Sequence, residues 1–211
     1  MPTRRKVLLG ATALPIAAER VGAVGTLPVV ASFSVLADLV REVGGERIQL
    51  GMLVSPEQDA HAFHPAPDDA RRVAAARVVV LNGLGFEGWL PRLIRASGFR
   101  GTAIVASEGI PTRRAGDPRS HSDGHADPHV WQDPKRAQMM VRRVAAGLSA
   151  ADPDGAGAYA DNAAHYAARL EELHAWVEAQ YADIPRARRR IVTSHDAFAY
   201  YGERYGIDFL A

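Results

Sequence analysis

The stretch Asp59-Ala60-His61-Ala62-Phe63-His64-Pro65-Ala66-Pro67-Asp68 decides how the fold of this chain is interpreted. It places two imidazoles, those of His61 and His64, directly before two prolines. Each proline fixes its own φ and favours an extended conformation in the residue before it, so the segment should be a stiff loop. Asp68 is a candidate N-cap, because the next eight residues are rich in helix formers. A stiff loop that carries histidines to a helix suits a metal site, but an ordinary polar loop fits equally well.

Apolar runs and helical patterns alternate on both sides of this loop. Short strands are predicted at residues 27–31, 48–54, 77–81 and 102–106. Helices of ordinary length separate them, and this alternation predicts an α/β fold with a parallel sheet. A long amphipathic helix is expected from about Tyr159 to Ile184, followed by a new strand and by a helix from Asp196.

The pattern divides the chain into four parts. We expect a signal peptide at 1–25, an N-terminal α/β lobe at 26–151, a linker helix at 152–185 and the start of a second α/β lobe at 186–211. The fold class is therefore two Rossmann-like parallel-sheet lobes joined by one long rigid helix. A single strand–helix unit cannot bury both faces of its sheet, so the second lobe is expected to be largely missing from a C-terminally truncated chain.

The N-terminus has the features of an export signal. Arg4, Arg5 and Lys6 precede a mostly apolar run without charged residues at 7–18, and small residues follow. The adjacent arginines resemble a twin-arginine signal, although a general secretory signal fits nearly as well and a buried N-terminal helix is a further alternative. An export signal of either kind predicts that the protein is periplasmic.

Composition narrows the function classes. Residues 1–25 carry a net charge of +3 out of a total of +1, which leaves the remainder at −2 and gives no indication of nucleic-acid binding. The chain has no cysteine. Disulfides, thiolate zinc ligands and cysteine nucleophiles are therefore excluded, and we expect no lipid anchor on an N-terminal cysteine.

The eight histidines are unevenly distributed. His165 and His174, in the long helix, are expected to be solvated surface residues. His121 and His125 lie in a Gly-, Pro-, Ser- and Asp-rich loop at 107–127, where they could capture a metal weakly at the cost of ordering the loop.

Three other histidines occupy equivalent places in the pattern. His61, His129 and His195 each follow a strand, or the loop after it, and precede a helix. Such positions gather at the carboxyl ends of parallel strands, where ligands bind. Three imidazoles would suit Zn²⁺. The separations of 68 and 66 residues match no local zinc motif, so the residues alone leave a metal site and a metal-free fold about equally supported.

Four motifs, in order, resemble the zinc- and manganese-binding receptors of ABC importers, the ZnuA/TroA-like solute-binding proteins. The 59–68 stretch is similar to their D-P-H-x-Y-E-P-T-P-x-D segment. The likeness continues in Asn82-Gly83-Leu84-Gly85-Phe86-Glu87-Gly88-Trp89-Leu90 and Asp127-Pro128-His129-Val130-Trp131, and ends in Ile191-Val192-Thr193-Ser194-His195-Asp196-Ala197-Phe198. It spans nearly all of the chain after the signal.

The resemblance implies a high-affinity receptor that delivers zinc to an ABC importer permease, with the metal between two lobes. It implies His61 and His129 as ligands from the first lobe and His195 from the second. His64 stands where the family usually has Glu, so we expect it near the ligands or on the surface. His121 and His125 resemble a shortened form of the family's His-rich loop. The fourth ligand there is usually an Asp or Glu further along the second lobe.

Metal identity follows from the ligand types. A third imidazole at His195 favours Zn²⁺, whereas a carboxylate there would favour Mn²⁺, so manganese is the main competitor. A manganese-binding receptor or adhesin therefore remains an alternative, and we expect the protein to be a monomer.

A zinc-dependent hydrolase is the enzyme alternative, because three imidazoles and a water also build a catalytic zinc site. Against it, the sequence places no obvious general base. Glu57 and Asp59 precede the ligand loop and Asp196 adjoins His195. Each of these carboxylates would more simply support a ligand imidazole, and we expect a protein that is not an enzyme.

Overall fold

The computed structural model describes residues 25–113 and 126–210. The expected signal peptide lies almost entirely outside these residues, and so do His121 and His125.

A four-stranded parallel sheet forms the larger part of the molecule, with strand order β2-β1-β3-β4. Its strands are β1 (Leu27–Phe33), β2 (Ile48–Val54), β3 (Val78–Leu81) and β4 (Thr102–Val105). Inner strands of a parallel sheet are covered on both faces, which is why residues 78–80 of β3 are all valine and fully buried. The predicted α/β fold is confirmed.

Helices cover both faces of this sheet. The described α-helices are α1 (Ser34–Gly44), α2 (Pro67–Ala75), α3 (Leu90–Ser97), α4 (Pro134–Ala151), α5 (Ala156–Tyr181) and α6 (Ala199–Tyr205). α1 and α4 pack against the strands and against each other, and α5 packs outside them. α2 and α3 contact each other, and the right-handed crossover rule places them on the opposite face.

The start of α2 corrects one prediction. Asp68 is not the N-cap, because Pro67 occupies the first helical position and the helix starts two residues earlier than predicted. Ala66 is the cap residue, and its N–H donates to the Asp69 carboxylate at 2.8 Å. Asp68 is exposed and pairs with Arg71 and Arg72 on the same helix.

The long helix α5 contains 26 residues, so it extends for about 39 Å at 1.5 Å per residue. It ends at Tyr181, four residues before Pro185. Its apolar side chains at 159, 163, 170 and 177 are buried, as the amphipathic pattern predicts.

A second, two-stranded parallel sheet follows α5. It consists of β5 (Arg190–Val192) and β6 (Asp208–Leu210), with α6 between them. The helix that the sequence places at Asp196 begins at Ala199, because the chain first makes a turn in which the Ala197 N–H donates to the His195 carbonyl at 3.0 Å. β6 has no counterpart among the predicted strands.

The two histidines of α5 differ in their surroundings. His165 is exposed, as expected. The prediction for His174 is wrong, since its side chain is 12% exposed and its Nδ1 lies 3.1 Å from the Tyr205 hydroxyl. The cause is the packing of α6 against α5. None of the described helices has the length and apolar character that crossing a bilayer requires.

Candidate metal centre

The three histidines that are separated by more than 60 residues in the sequence meet at one point. Nε2 of His129 lies 3.2 Å from Nε2 of His61 and 3.2 Å from Nε2 of His195. All three ligand atoms lie within 4.8 Å of one another. Two nitrogens bound to one tetrahedral Zn²⁺ at 2.0–2.1 Å would be about 3.3 Å apart, so this spacing matches a shared ion.

The chemistry of these nitrogens also favours a cation. His129 Nδ1 lies 2.8 Å from Asp127 Oδ1, and this contact favours the tautomer in which Nδ1 carries the proton. Nε2 of His129 is then an acceptor with one lone pair in the ring plane. This atom faces Nε2 of His61 and Nε2 of His195 at the same distance, and its single lone pair cannot accept a well-aligned hydrogen bond from both. A metal ion between the three nitrogens would satisfy all of them.

His129 is the buried member of the cluster, with 6% of its surface exposed. The Asp127 carboxylate also accepts the His129 backbone N–H at 2.9 Å, so one side chain fixes both the ring and the backbone. Pro128 restricts the residue between them. This Asp–His pair is the support that ligating imidazoles commonly have, because it sets the ring orientation and increases ligand basicity.

His61 lies on the loop between β2 and α2 and is more accessible. Its backbone N–H donates to Asp59 Oδ1 at 2.8 Å, which fixes the turn that presents the ring. The Phe86 ring packs edge-on against it at 4.5 Å between centroids. Burial of the imidazole, reinforced by the charges that His129 and His195 would carry, lowers the pKa of His61. A lowered pKa favours the neutral imidazole, which is the form that binds a metal.

His195 comes from the turn between β5 and α6, and it is also accessible. Its ring lies edge-on to both partners, with centroids 5.1 Å from His129 and 5.4 Å from His61. The cluster therefore joins the two sheets of the molecule.

An aromatic group packs behind the imidazoles. Phe33, Phe86 and Trp131 contact one another with centroids 4.8–5.0 Å apart, and Trp131 lies 5.3 Å from His129. These rings form an apolar wall. Because such a wall lowers the local dielectric constant, it would strengthen the attraction between a bound cation and the ligand nitrogens.

A buried carboxylate organises the loop that carries Phe86. Glu87 is 4% exposed and accepts hydrogen bonds from Ser32 Oγ, the Asn82 N–H and the Gly83 N–H at 2.6, 2.7 and 3.1 Å. Burial raises the pKa of Glu87, and the three donors oppose that rise. Asn82 in turn donates to the Pro128 carbonyl at 3.0 Å, so this loop braces the backbone beside His129.

The other sequence candidates lie outside the cluster. His64 is exposed and Asp196 is half-buried, and neither joins the three ligand atoms found among the described residues. His121 and His125 lie outside the described part of the chain. Sequence reasoning missed the support that Asp127 gives to His129, although the Asp-Pro-His triplet was the available signal.

Comparison with known proteins identifies the family. The family model of the zinc-uptake complex component A, periplasmic (ZnuA), matches residues 29–211. The manganese-binding lipoprotein MntA of Halalkalibacterium halodurans is 38% identical over 182 residues, which cover 86% of this chain and 59% of that protein. The metal ABC transporter substrate-binding lipoprotein FimA of Streptococcus parasanguinis is 28% identical, over 88% of this chain and 62% of its own length.

A crystal structure of ZnuA has the same fold, with a TM-score of 0.80 at 24% identity over 88% of this chain and 69% of that one. The chain thus spans about three fifths of the length of the curated relatives it matches. Both of these relatives are named lipoproteins, so the comparisons do not support the expectation that the protein lacks a lipid anchor. The resemblance predicted from the four motifs is confirmed, and the chain belongs to the ZnuA family of metal solute-binding proteins.

Proposed function

We propose that the chain is the metal-binding part of an extracytoplasmic receptor that delivers zinc to an ABC importer. The observation that carries this proposal is the convergence of His61, His129 and His195, whose Nε2 atoms have the spacing of ligands to one ion. The FimA relative is named as a transporter's substrate-binding protein, which supports delivery to a membrane permease.

Zinc is the proposed cargo because the described ligand set is all imidazole. Nitrogen ligands suit Zn²⁺, whereas Mn²⁺ prefers carboxylate and other oxygen ligands. The MntA relative is named for manganese and the matching family model for zinc uptake, so these names favour neither ion. The preference therefore rests on the chemistry of the three side chains.

A receptor fits the site better than a hydrolase does. A zinc hydrolase needs a carboxylate or another base beside the metal-bound water. Among the described residues, Asp127 is a carboxylate that lies against a candidate ligand imidazole. It is already hydrogen-bonded to the His129 ring and to the His129 backbone N–H. The relatives compared above are named as metal-binding or transport proteins.

The proposal also assigns parts of the chain. Residues 26–151 would form the metal-binding lobe, 152–185 the linker and 186–211 the beginning of a second lobe, with residues 1–25 directing export. The metal would lie between the lobes, held by two imidazoles from the first and one from the second.

Competition between the two ions tests the choice of cargo. The full-length receptor is titrated with Zn²⁺ and Mn²⁺ against a chelator of known affinity for both. We expect tighter retention of Zn²⁺, by at least about tenfold, because all described ligands are nitrogens. Tighter retention of Mn²⁺ would contradict the zinc assignment and leave a manganese receptor.

A further inference from the structure

Two tethers connect the segment that carries His129 to α6, the helix that follows His195. Both tethers lie outside the cluster of ligand atoms. The first is the hydroxyl of Tyr200, a residue with no solvent exposure. The second is the carboxylate of Asp133, which is also fully buried.

The Tyr200 hydroxyl makes two hydrogen bonds across the boundary between the two sheets. It donates to the Asp127 carbonyl at 2.7 Å and accepts the Arg113 N–H at 3.1 Å. The Arg136 guanidinium lies over the Tyr200 ring, 4.4 Å from its centroid. Asp127 is the residue whose side chain orients His129, so the tether ends at the support of a candidate ligand.

The second tether is an ion pair with two parallel contacts. Arg204, on α6, places Nε and Nη2 at 2.8 and 2.7 Å from the two oxygens of Asp133. Arg136 donates to the same carboxylate at 2.6 Å, and the Lys135 N–H donates at 3.0 Å. Two-point contacts of this kind fix orientation as well as distance.

These contacts fix the position of α6 relative to the chain around His129. His195 lies four residues before the first residue of α6, so the position of the helix constrains where His195 can lie. His195 itself lies in an accessible turn, and ligands on such a segment need external support to be held in place. A ligand that is held in place before the metal arrives avoids an entropic cost on binding.

From this arrangement we infer that Tyr200 and Arg204 are positioning residues that hold His195 in register with His129 for metal binding. The inference rests on the proposed function, since it concerns the same site. Support of a ligand by neighbouring residues typically changes metal affinity 10- to 100-fold.

A double-mutant cycle on the full chain tests this role, with Zn²⁺ as the probe and a competing chelator as the readout. Tyr200→Phe removes the hydroxyl but keeps the ring. We expect it to weaken Zn²⁺ binding by about tenfold or more in the wild-type background. In the His195→Ala background the same change should alter affinity by less than about twofold, because its effect passes through His195.

Tyr201→Phe is the matched control. Tyr201 is the adjacent residue, and its ring packs against Tyr205 and Phe209 rather than the first lobe. The Tyr201→Phe variant should therefore bind Zn²⁺ with the same affinity as the wild type. If Tyr200→Phe does not fold, Arg204→Lys passes through the same cycle, since lysine keeps the charge but not the two-point contact.

The outcomes separate this inference from the proposed function. Equal losses in both backgrounds, or no loss from either tether variant, would overturn the positioning role while leaving a His195 ligand in place. An unchanged affinity in His195→Ala alone would instead remove His195 from the ligand set, and the inference would fail with the proposed function.

Discussion

His129 is the residue on which the candidate site is built. It is the buried imidazole, it contacts both other imidazoles, and its ring and backbone are held by a single carboxylate. Its orientation therefore depends on Asp127 more than on the other residues around it.

Asp127→Asn should weaken Zn²⁺ binding by about 10- to 100-fold. The amide keeps the shape of the side chain, but it removes the negative charge that stabilises the Nδ1–H tautomer of His129. Chelator competition measures the change. Asp59→Asn is the control, because the Asp59 carboxylate accepts the backbone N–H of His61 and should give a smaller loss. Equal losses from the two variants would contradict a specific role for Asp127.

Binding should also depend on pH. The pKa of His61 is lowered by burial, so its neutral form persists below the ordinary histidine value of about 6.5. At still lower pH protons compete with the metal, and we expect affinity at pH 5.5 to be at least about tenfold weaker than at pH 7.5. Isothermal titration at the two pH values measures this difference.

The same titration on His165→Ala provides the control, since that histidine is exposed on α5 and is not one of the three clustered histidines. Its pH dependence should equal that of the wild type. Equal affinities at both pH values in the wild type would argue against imidazole ligands.

The sequence singled out the three histidines that the fold brings together, but not the residues that support them. The three histidines were identifiable from their places after strands and from the family motifs. Hydrogen-bond acceptors such as Asp127, and Asp69 at the start of α2, depend on one-residue details of turn geometry. A sequence motif specifies which residue types are present. The hydrogen bonds that they make are determined only when the loop packs against the rest of the fold.

At the scale of elements, close packing joins α4 to the sheet. Gly147, on α4, faces Ile104 of β4 so closely that an added Cβ would overlap its side chain. The glycine therefore determines how near the helix lies to the strand.

Gly147→Ala should lower the free energy of unfolding by about 1–3 kcal/mol, because it overpacks the core. Gly157→Ala is the matched control. Gly157 lies in the first turn of α5 and an added Cβ would meet nothing within 4 Å, so this change should be neutral or slightly stabilising. Chemical denaturation measures both variants, and a destabilisation of Gly157→Ala as large as that of Gly147→Ala would contradict the packing argument.

The buried Asp133 should make the contact between α4 and α6 sensitive to acid. Burial alone would raise its pKa, but hydrogen bonds from Arg204, the Lys135 N–H and Arg136 outweigh that effect and lower it. A lowered carboxyl pKa contributes stability that is present above the unfolded value, near 4, and is lost as the pH falls through the folded value.

Asp133→Asn should therefore reduce the free energy of unfolding at pH 7 by about 3 kcal/mol, since it removes one partner of a buried ion pair. The difference from the wild type should begin to shrink below about pH 4, where the carboxyl of the unfolded chain binds a proton, and should vanish only as the pH falls through the lower pKa of the folded state. Denaturation curves at pH 7 and pH 3 measure it. A difference that is equal at both pH values would contradict the role of the charge.

The strands and helices themselves were largely predictable. β2 and β3 are continuous apolar runs bounded by turns, and α5 has a sustained helical periodicity, so both signals are visible in the sequence. The three-residue strand β6 and the late start of α6 were not, because short elements are stabilised by contacts with distant parts of the chain. For β6 the contact is its pairing with β5.

At the scale of the molecule, the candidate metal site lies where the two sheets meet. β1 to β4 and their loops provide His61 and His129, while the turn after β5 provides His195. α5 connects the two parts, and the contacts of Tyr200 and Arg204 hold them together. The convergence of three distant residues was predicted from topology and family likeness, but the contacts that fix their distances were visible only in the fold.

X-ray absorption spectroscopy of the zinc-loaded chain measures the number and type of the ligands around the ion. We predict three imidazole nitrogens in the first shell at about 2.0–2.1 Å, decreasing to two when either His61, His129 or His195 is replaced by alanine. A first shell that contains fewer than three imidazoles in the wild type, or that does not change in the three variants, would contradict the site.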